Sequence, residues 1–209
     1  MIENYTILPN GVIKQIEIVN KIKEYDKKYV DDRYNSYGEK GMQMAYLRLG
    51  YLLGGKTEDI KSILDVGYGN GDFLKACSSI NTKRYGNDIS NYQLPEGSTF
   101  VEDILKNEYD VVCFFDSLEH FEDITFVKDL KTKYLYISVP ECHNFSDEWF
   151  RDWKHRREDE HLWHFNRESL INFMDECGFG WVRTSNVEDI IRNNGKDESN
   201  ILTGIFKKR

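Results

Sequence analysis

Residues 62–72 read Ser62-Ile63-Leu64-Asp65-Val66-Gly67-Tyr68-Gly69-Asn70-Gly71-Asp72, a short apolar run that breaks into three glycines at alternate positions. The run has the continuous hydrophobicity of a strand covered on both faces, and the segment after it, Phe73 to Ser79, reads as a helix. A glycine-rich turn between strand and helix is where backbone approaches a nucleotide-like ligand, because no Cβ stands in the way. The spacing is GxGxG and not the GxGxxG of a dinucleotide site; Asp72 stands where the last glycine of that fingerprint would fall. An acid there repels a pyrophosphate and suits a cationic ligand. Asp65, leading into the turn, fits the same logic as a receiver for the ammonium of an amino-acid moiety.

Four more apolar runs follow, RYGNDI, STFVED, YDVVCFFD and YLYISVP. Helical stretches intervene, GDFLKACSS after the first strand and FEDITFVKDLK after the fourth, so the alternation predicts right-handed crossovers in a largely parallel sheet. SNYQLPEG, between the second and third strands, is too short and broken for a crossover helix. Asn166 is placed to cap a helix with Leu170, Phe173, Met174 and Cys177 on its apolar face and Gly178 at its end. WVRTSNVED and NILTGIFKK supply two last strands. Upstream, Val12, Ile13, Ile16, Val19, Ile22 and Tyr25 recur at helical spacing, as do Met42, Tyr46, Leu49, Leu52 and Leu53 before Gly54 and Gly55. These predict a helical extension over residues 1–58, with the charged DDRYNSYGEKG as a loop inside it, ahead of a core over 59–209.

With 209 residues, 40% hydrophobic side chains, three prolines and no repeat or linker, the chain reads as one domain. Its four cysteines, at 77, 113, 142 and 177, form no zinc or redox pair and suit a reducing cytoplasm. MIENYTILPN lacks the pattern of a signal peptide, and no apolar run reaches the ~20 residues of a membrane span, so no membrane partner is expected. Thirty-six acidic against 28 basic residues give a net charge of −8, which disfavours duplex nucleic acid and favours a small molecule or neutral polymer as substrate.

ILDVGYGNGDFL resembles the first motif of class I S-adenosylmethionine-dependent methyltransferases, and the resemblance runs from about Ile63 to Phe206. It implies an α/β fold, a Rossmann-like, mostly parallel seven-stranded sheet with helices on both faces and the last strand antiparallel, and S-adenosyl-L-methionine as cofactor. On this resemblance Asp65, Gly67, Tyr68 and Gly69 cradle the cofactor. Asp88, beside Ile89, takes the ribose hydroxyls, since a carboxylate accepts two hydrogen bonds from a vicinal diol. Asp103 reads the adenine amino group with Ile104 beside the ring, and Phe115 and Asp116 close on the sulfonium. The chain lacks the [NDS]PP[YFW] segment of amino-methylating nucleic-acid enzymes, and Val139-Pro140-Glu141-Cys142 comes one strand too late for a cytosine-methylating Pro-Cys nucleophile.

DSLEHF is similar to the E-x-L-E-H segment with which quinone-biosynthesis O-methyltransferases hold a divalent metal. Asp116 departs from that glutamate, and LEHF-like segments are widespread in metal-free methyltransferases. Glu119 and His120 are therefore expected to serve the fold or the substrate, and no metal is expected.

Residues 141–165, ECHNFSDEWFRDWKHRREDEHLWHF, leave the carboxyl end of the fifth strand, where open parallel sheets bind ligands. The segment is rich in histidine and tryptophan and is expected to form a lid and acceptor pocket, with Trp149, Phe150 and Trp153 packed inward from an amphipathic helix. A hydroxyl acceptor needs a base, for which His161, His164 and His120 are the candidates. The reading is thus methyl transfer to a small-molecule or sugar acceptor at oxygen. The rival is a non-catalytic cofactor-binding protein that keeps the fold.

Overall fold

The computed structural model describes residues 3–20, 38–54, 59–90, 92–143, 146–192 and 198–209. A strand pair, β1 (Tyr5–Ile7) and β2 (Ile13–Gln15), comes first, then helix α1 (Glu39–Leu53). The core strands are β3 (Ser62–Val66), β4 (Lys83–Asn87), β5 (Ser98–Phe100), β6 (Tyr109–Phe115) and β7 (Thr132–Pro140), with α2 (Asp72–Ala76) between the first two. Then come α3 (Asp147–Asp152), β8 (Trp163–His164), α4 (Arg167–Glu176), β9 (Phe179–Ser185), α5 (Asp189–Arg192) and β10 (Ile201–Lys208).

Seven strands form one sheet in the order β5-β4-β3-β6-β7-β10-β9. Pairs among β3 to β7 are parallel, while β10 runs antiparallel to both β7 and β9. This is the Rossmann-like, seven-stranded, last-strand-antiparallel sheet that the sequence predicts. In the central strands β3, β6 and β7 successive residues such as Ile63 and Leu64 are both fully buried, one on each face, which is why these read as continuous apolar runs, whereas β4 and β5 at the sheet's end are only partly covered. On one face Ile63, Val111 and Tyr136 pack under Leu49 and Leu52 of α1 and Phe73 of α2. On the other, Leu64, Phe114 and Leu135 share a core with Leu170 and Phe173 of α4.

Several local expectations are corrected. Residues 12–20 are extended rather than helical: β2 pairs with β1 on one side and with β8 on the other. The β-branched content of Val12, Ile13, Ile16, Ile18 and Val19 favours a strand, and burial alternates with period two from Ile13 to Gln15. Ile22 and Tyr25, Gly55, and all of the expected charged loop but Gly38 to Gly41 lie outside the described residues, and of that remainder Glu39 to Gly41 form the first turn of α1 rather than a loop. FEDITFVKDLK forms only a short 3-10 segment, Thr125–Asp129, because Asp123 captures the Thr125 N–H at 2.8 Å and closes the chain locally. His161 follows the turn at 158–160, and His164 lies in β8.

The Asn166 cap is present in full. Its side chain accepts from Ser169 N at 2.7 Å, and Ser169 Oγ accepts from Asn166 N at 3.0 Å. Asn166→Ala should lower stability by about 1 kcal/mol in urea unfolding at unchanged m-value.

Candidate functional site

The glycine turn sits at the carboxyl end of β3, between the ends of β4 and β6. Gly67, Gly69 and Gly71 have φ of 79°, 56° and 74°, a region that side chains with a Cβ rarely adopt. A Cβ on Gly67 would lie 2.7 Å from Ser117 Cβ, and one on Gly71 would lie 2.6 Å from Pro95 Cγ. Close packing of the chain on itself thus demands Gly67 and Gly71, and positive φ favours Gly69, before any ligand is considered. Ser117 Oγ donates to Val66 O at 2.7 Å and fastens the turn to the end of β6.

Asp88 follows β4. Its carboxylate accepts from Gly69 N at 2.8 Å and from Ser90 N at 2.7 Å, one bond to each oxygen, which leaves each with a further acceptor site. Ile89 is exposed, and Tyr68 donates its hydroxyl to Tyr92 O. Asp103, beyond β5, accepts from Leu105 N at 2.9 Å, and Ile104 packs against the core. Phe115 ends β6 with its ring 4.8 Å from Phe73 and 4.9 Å from Tyr136. The predicted cofactor residues therefore stand on neighbouring strand ends along one edge of the sheet.

Asp65 is buried, and its Oδ1 has no hydrogen-bond partner among the described residues. Burial pushes its carboxyl up to about 7, against the pull of Arg48, while the Asp88 charge adds to the rise. The edge also carries residues that the sequence reading passed over. Arg48 projects from α1 with its guanidinium 4.1 Å above the Phe115 ring and pairs with Glu188 at 2.7 Å and Asp116 at 3.6 Å. Arg192 of α5 bridges Glu188 at 2.9 Å and Asp116 at 2.5 Å, and Ser138 Oγ donates to Glu188 at 2.6 Å. Although burial acts to raise it, Glu188 is held below the usual carboxylate range by Arg48 and Arg192. One signal was available: Arg48 falls on the apolar stripe Ala45, Leu49, Leu52, where a charge needs a buried partner. Asp116, expected at the sulfonium, has φ of 51° and directs its carboxylate to the two guanidiniums.

The three candidate histidines divide. His120 and His161 have ring centroids 4.7 Å apart, and ligand atoms of Glu119, His120 and His161 all lie within 4.8 Å of one another, a spacing that could close on a metal ion. His161 Nδ1 faces His155 O at 2.8 Å, so Nδ1 carries the proton and Nε2 the lone pair. Burial, with the neighbouring His120, pulls its pKa down to about 2. His164 lies apart, packed among Tyr5, Phe150 and Trp153 with centroids at 5.7, 5.1 and 5.6 Å, and burial pulls it to about 3. Trp149 stacks on Trp153 at 5.2 Å and meets the exposed His143 at 4.6 Å, while α3 buries Phe150 more fully than either indole.

The sequence profile of the methyltransferase-domain family matches residues 34–184. The chain belongs to that family and is an S-adenosyl-L-methionine-dependent methyltransferase. Among similar solved structures is a chain of a Haloferax volcanii complex of a methyltransferase with its activator (TM-score 0.63, 14% identity, 90% of this chain and 99% of that one). Another is the magnesium protoporphyrin IX methyltransferase of Synechocystis with S-adenosylhomocysteine bound (TM-score 0.58, 14% identity, 88% and 96%). A third is the plantazolicin methyltransferase, also with S-adenosylhomocysteine (TM-score 0.54, 14% identity, 87% and 88%). No curated protein sequence matches the chain.

The buried Asp65 carboxylate carries a charge that the fold disfavours. Folding raises this pKa from 3.8 to about 7, so the folded protein binds the proton more tightly than the unfolded chain, and stability falls as pH rises between those values. Asp65→Asn should therefore stabilise the cofactor-free protein at pH 8 by about 1–3 kcal/mol and much less at pH 5. Thermal unfolding at both pH values measures the difference.

Proposed function

We propose that the chain methylates a hydroxyl of a small-molecule or sugar acceptor, with the cofactor along the β3–β4–β6 edge and the acceptor against the wall formed by His120, His161 and residues 141–165. The buried, partnerless Oδ1 of Asp65 carries the cofactor half of this reading. Asp65 takes the ammonium, Gly67, Tyr68 and Gly69 form the cradle, Asp88 with Ile89 meets the ribose, and Asp103 with Ile104 meets the adenine. Phe115 and Asp116 flank the reacting end.

The cofactor, when bound, would supply its methyl group to the acceptor oxygen, the C–S bond breaking as the O–C bond forms, and the hydroxyl proton would pass to a base of this chain. The loss of charge on sulfur asks the protein for alignment and exclusion of water more than for a strong electrophile, so no metal is assigned a step. His120, partly open to solvent, takes the proton, and neutral His161 stands against its ring and holds it in place for that transfer. His164, enclosed by aromatic rings, packs the wall. The solved relatives are named for a porphyrin and for plantazolicin, so the acceptor class here rests on this chain's own aromatic and histidine wall. The net charge of −8 supports a small molecule over duplex nucleic acid. Among the described residues no helix is long and apolar enough to cross a membrane, and the four free, buried cysteines support a cytoplasmic setting.

His120→Gln, which removes the base, should lower turnover by about 10²–10⁴-fold, and His161→Gln, which frees the His120 ring, by a smaller factor, each with nearly unchanged cofactor affinity, measured with labelled cofactor against an acceptor panel and by calorimetry. Full turnover in the His161 variant would end its acceptor-side role; lost cofactor binding would reassign it to the cofactor pocket.

A further inference from the structure

Asp159 lies two residues before His161 in the turn that delivers it, yet every hydrogen bond its carboxylate accepts here comes from the far end of the chain. Oδ1 accepts from Gln15 Nε2 at 2.5 Å and Val19 N at 3.0 Å; Oδ2 accepts from Asn20 N at 2.9 Å and Asn20 Nδ2 at 2.6 Å. The exchange is reciprocal, because Gln15 Oε1 accepts from Asp159 N at 2.9 Å. Gln15 and Asp159 are both buried, and Asp159 holds φ of 63°, a left-handed conformation uncommon outside glycine. Burial alone would raise its carboxyl, but the bonds from Val19, Asn20 and Gln15 hold it below the ordinary range.

The contact continues on both sides of this pair. Gln15 N donates to Leu162 O at 2.9 Å, Ile13 and Lys14 pair with His164 and Trp163, and the Lys14 ammonium sits 4.8 Å above the Trp163 ring. On its other side the same stretch is tied to the strand ends: Leu162 N donates to Glu119 O at 2.8 Å and Trp163 Nε1 to Phe121 O at 2.7 Å. His161 thus sits in a short connection fastened to residues 13–20 from one side and to the turn after β6 from the other.

We propose that Asp159 is a positioning residue for methyl transfer: it latches the N-terminal strand pair over the 159–164 segment and thereby fixes the His161 ring against His120. The carboxylate is specific to the task. All four donors point at its two oxygens, and an asparagine would turn an N–H₂ toward two of them. The reading rests on His120 and His161 as acceptor-side groups for its purpose, but its test is read without any acceptor.

The His161 Nδ1–H, buried and bonded to a carbonyl, should give a downfield proton signal in NMR that His161→Gln removes and so assigns. In Asp159→Asn that signal should broaden into exchange with water, and the amide protons of Val19 and Asn20 should exchange at least about tenfold faster. Affinity for S-adenosylhomocysteine, titrated by calorimetry, should stay within about twofold of wild type, since β3, β4 and β6 are untouched. Should Asp159→Asn fail to fold, Asn20→Ala removes one donor and should give the same changes in smaller degree. Faster amide exchange with an unaltered His161 signal would overturn the proposal, because Asp159 would then only tie down the amino terminus. Unaltered amide exchange would overturn the latch itself.

Discussion

Arg48 is a guanidinium set where helix α1 meets the sheet, and the functional edge is arranged around the need to answer its charge. Glu188 answers it with a bidentate pair at 2.7 and 3.0 Å, Asp116 with a longer contact, and the Phe115 ring with its face. Removing any one buried partner would strand a charge, which costs far more than an exposed ion pair contributes. This network fixes the end of β6, the start of α5 and the third turn of α1 relative to one another. It also reaches Asp65, whose carboxyl would rise further without the nearby cation.

From that constraint the division of labour along the edge follows. Parallel strands β3, β4 and β6 end side by side, so the glycine turn, Asp88 and Phe115 are presented together without any one of them being on a long loop. The proposed acceptor wall is built differently. It comes from the 141–165 segment and is stiffened by a separate three-stranded sheet, β1-β2-β8, that draws on the amino terminus. The glycine turn, Asp88 and Phe115 therefore depend on the main sheet, while the placement of His161 depends on contacts between residues far apart in sequence.

That difference explains what the sequence disclosed. Strands buried on both faces leave an unmistakable pattern, and the loop SILDVGYGNGD needs its glycines for local reasons, positive φ and the close approach of Ser117 and Pro95. The Asn166 cap was legible for the same reason, since both partners lie within four residues. The N-terminal strands were not: a spacing of three or four between β-branched residues reads as a helix unless pairing with β8, some 150 residues away, is known. The Arg48, Glu188 and Arg192 network is likewise a product of the fold, and nothing local to Asp116 reveals that its carboxylate is committed to two arginines. Glu119, His120 and His161 come together only because the 3-10 turn after β6 meets the segment before β8.

The most direct test of the account is a crystal structure with S-adenosylhomocysteine bound. The ligand's ammonium should lie within hydrogen-bond distance of Asp65 Oδ1, its ribose diol on Asp88 and its adenine beside Asp103 and Ile104, with the sulfur facing the side where His120 and His161 stand. A ligand bound elsewhere on the chain, or one seated with its ammonium away from Asp65, would contradict it.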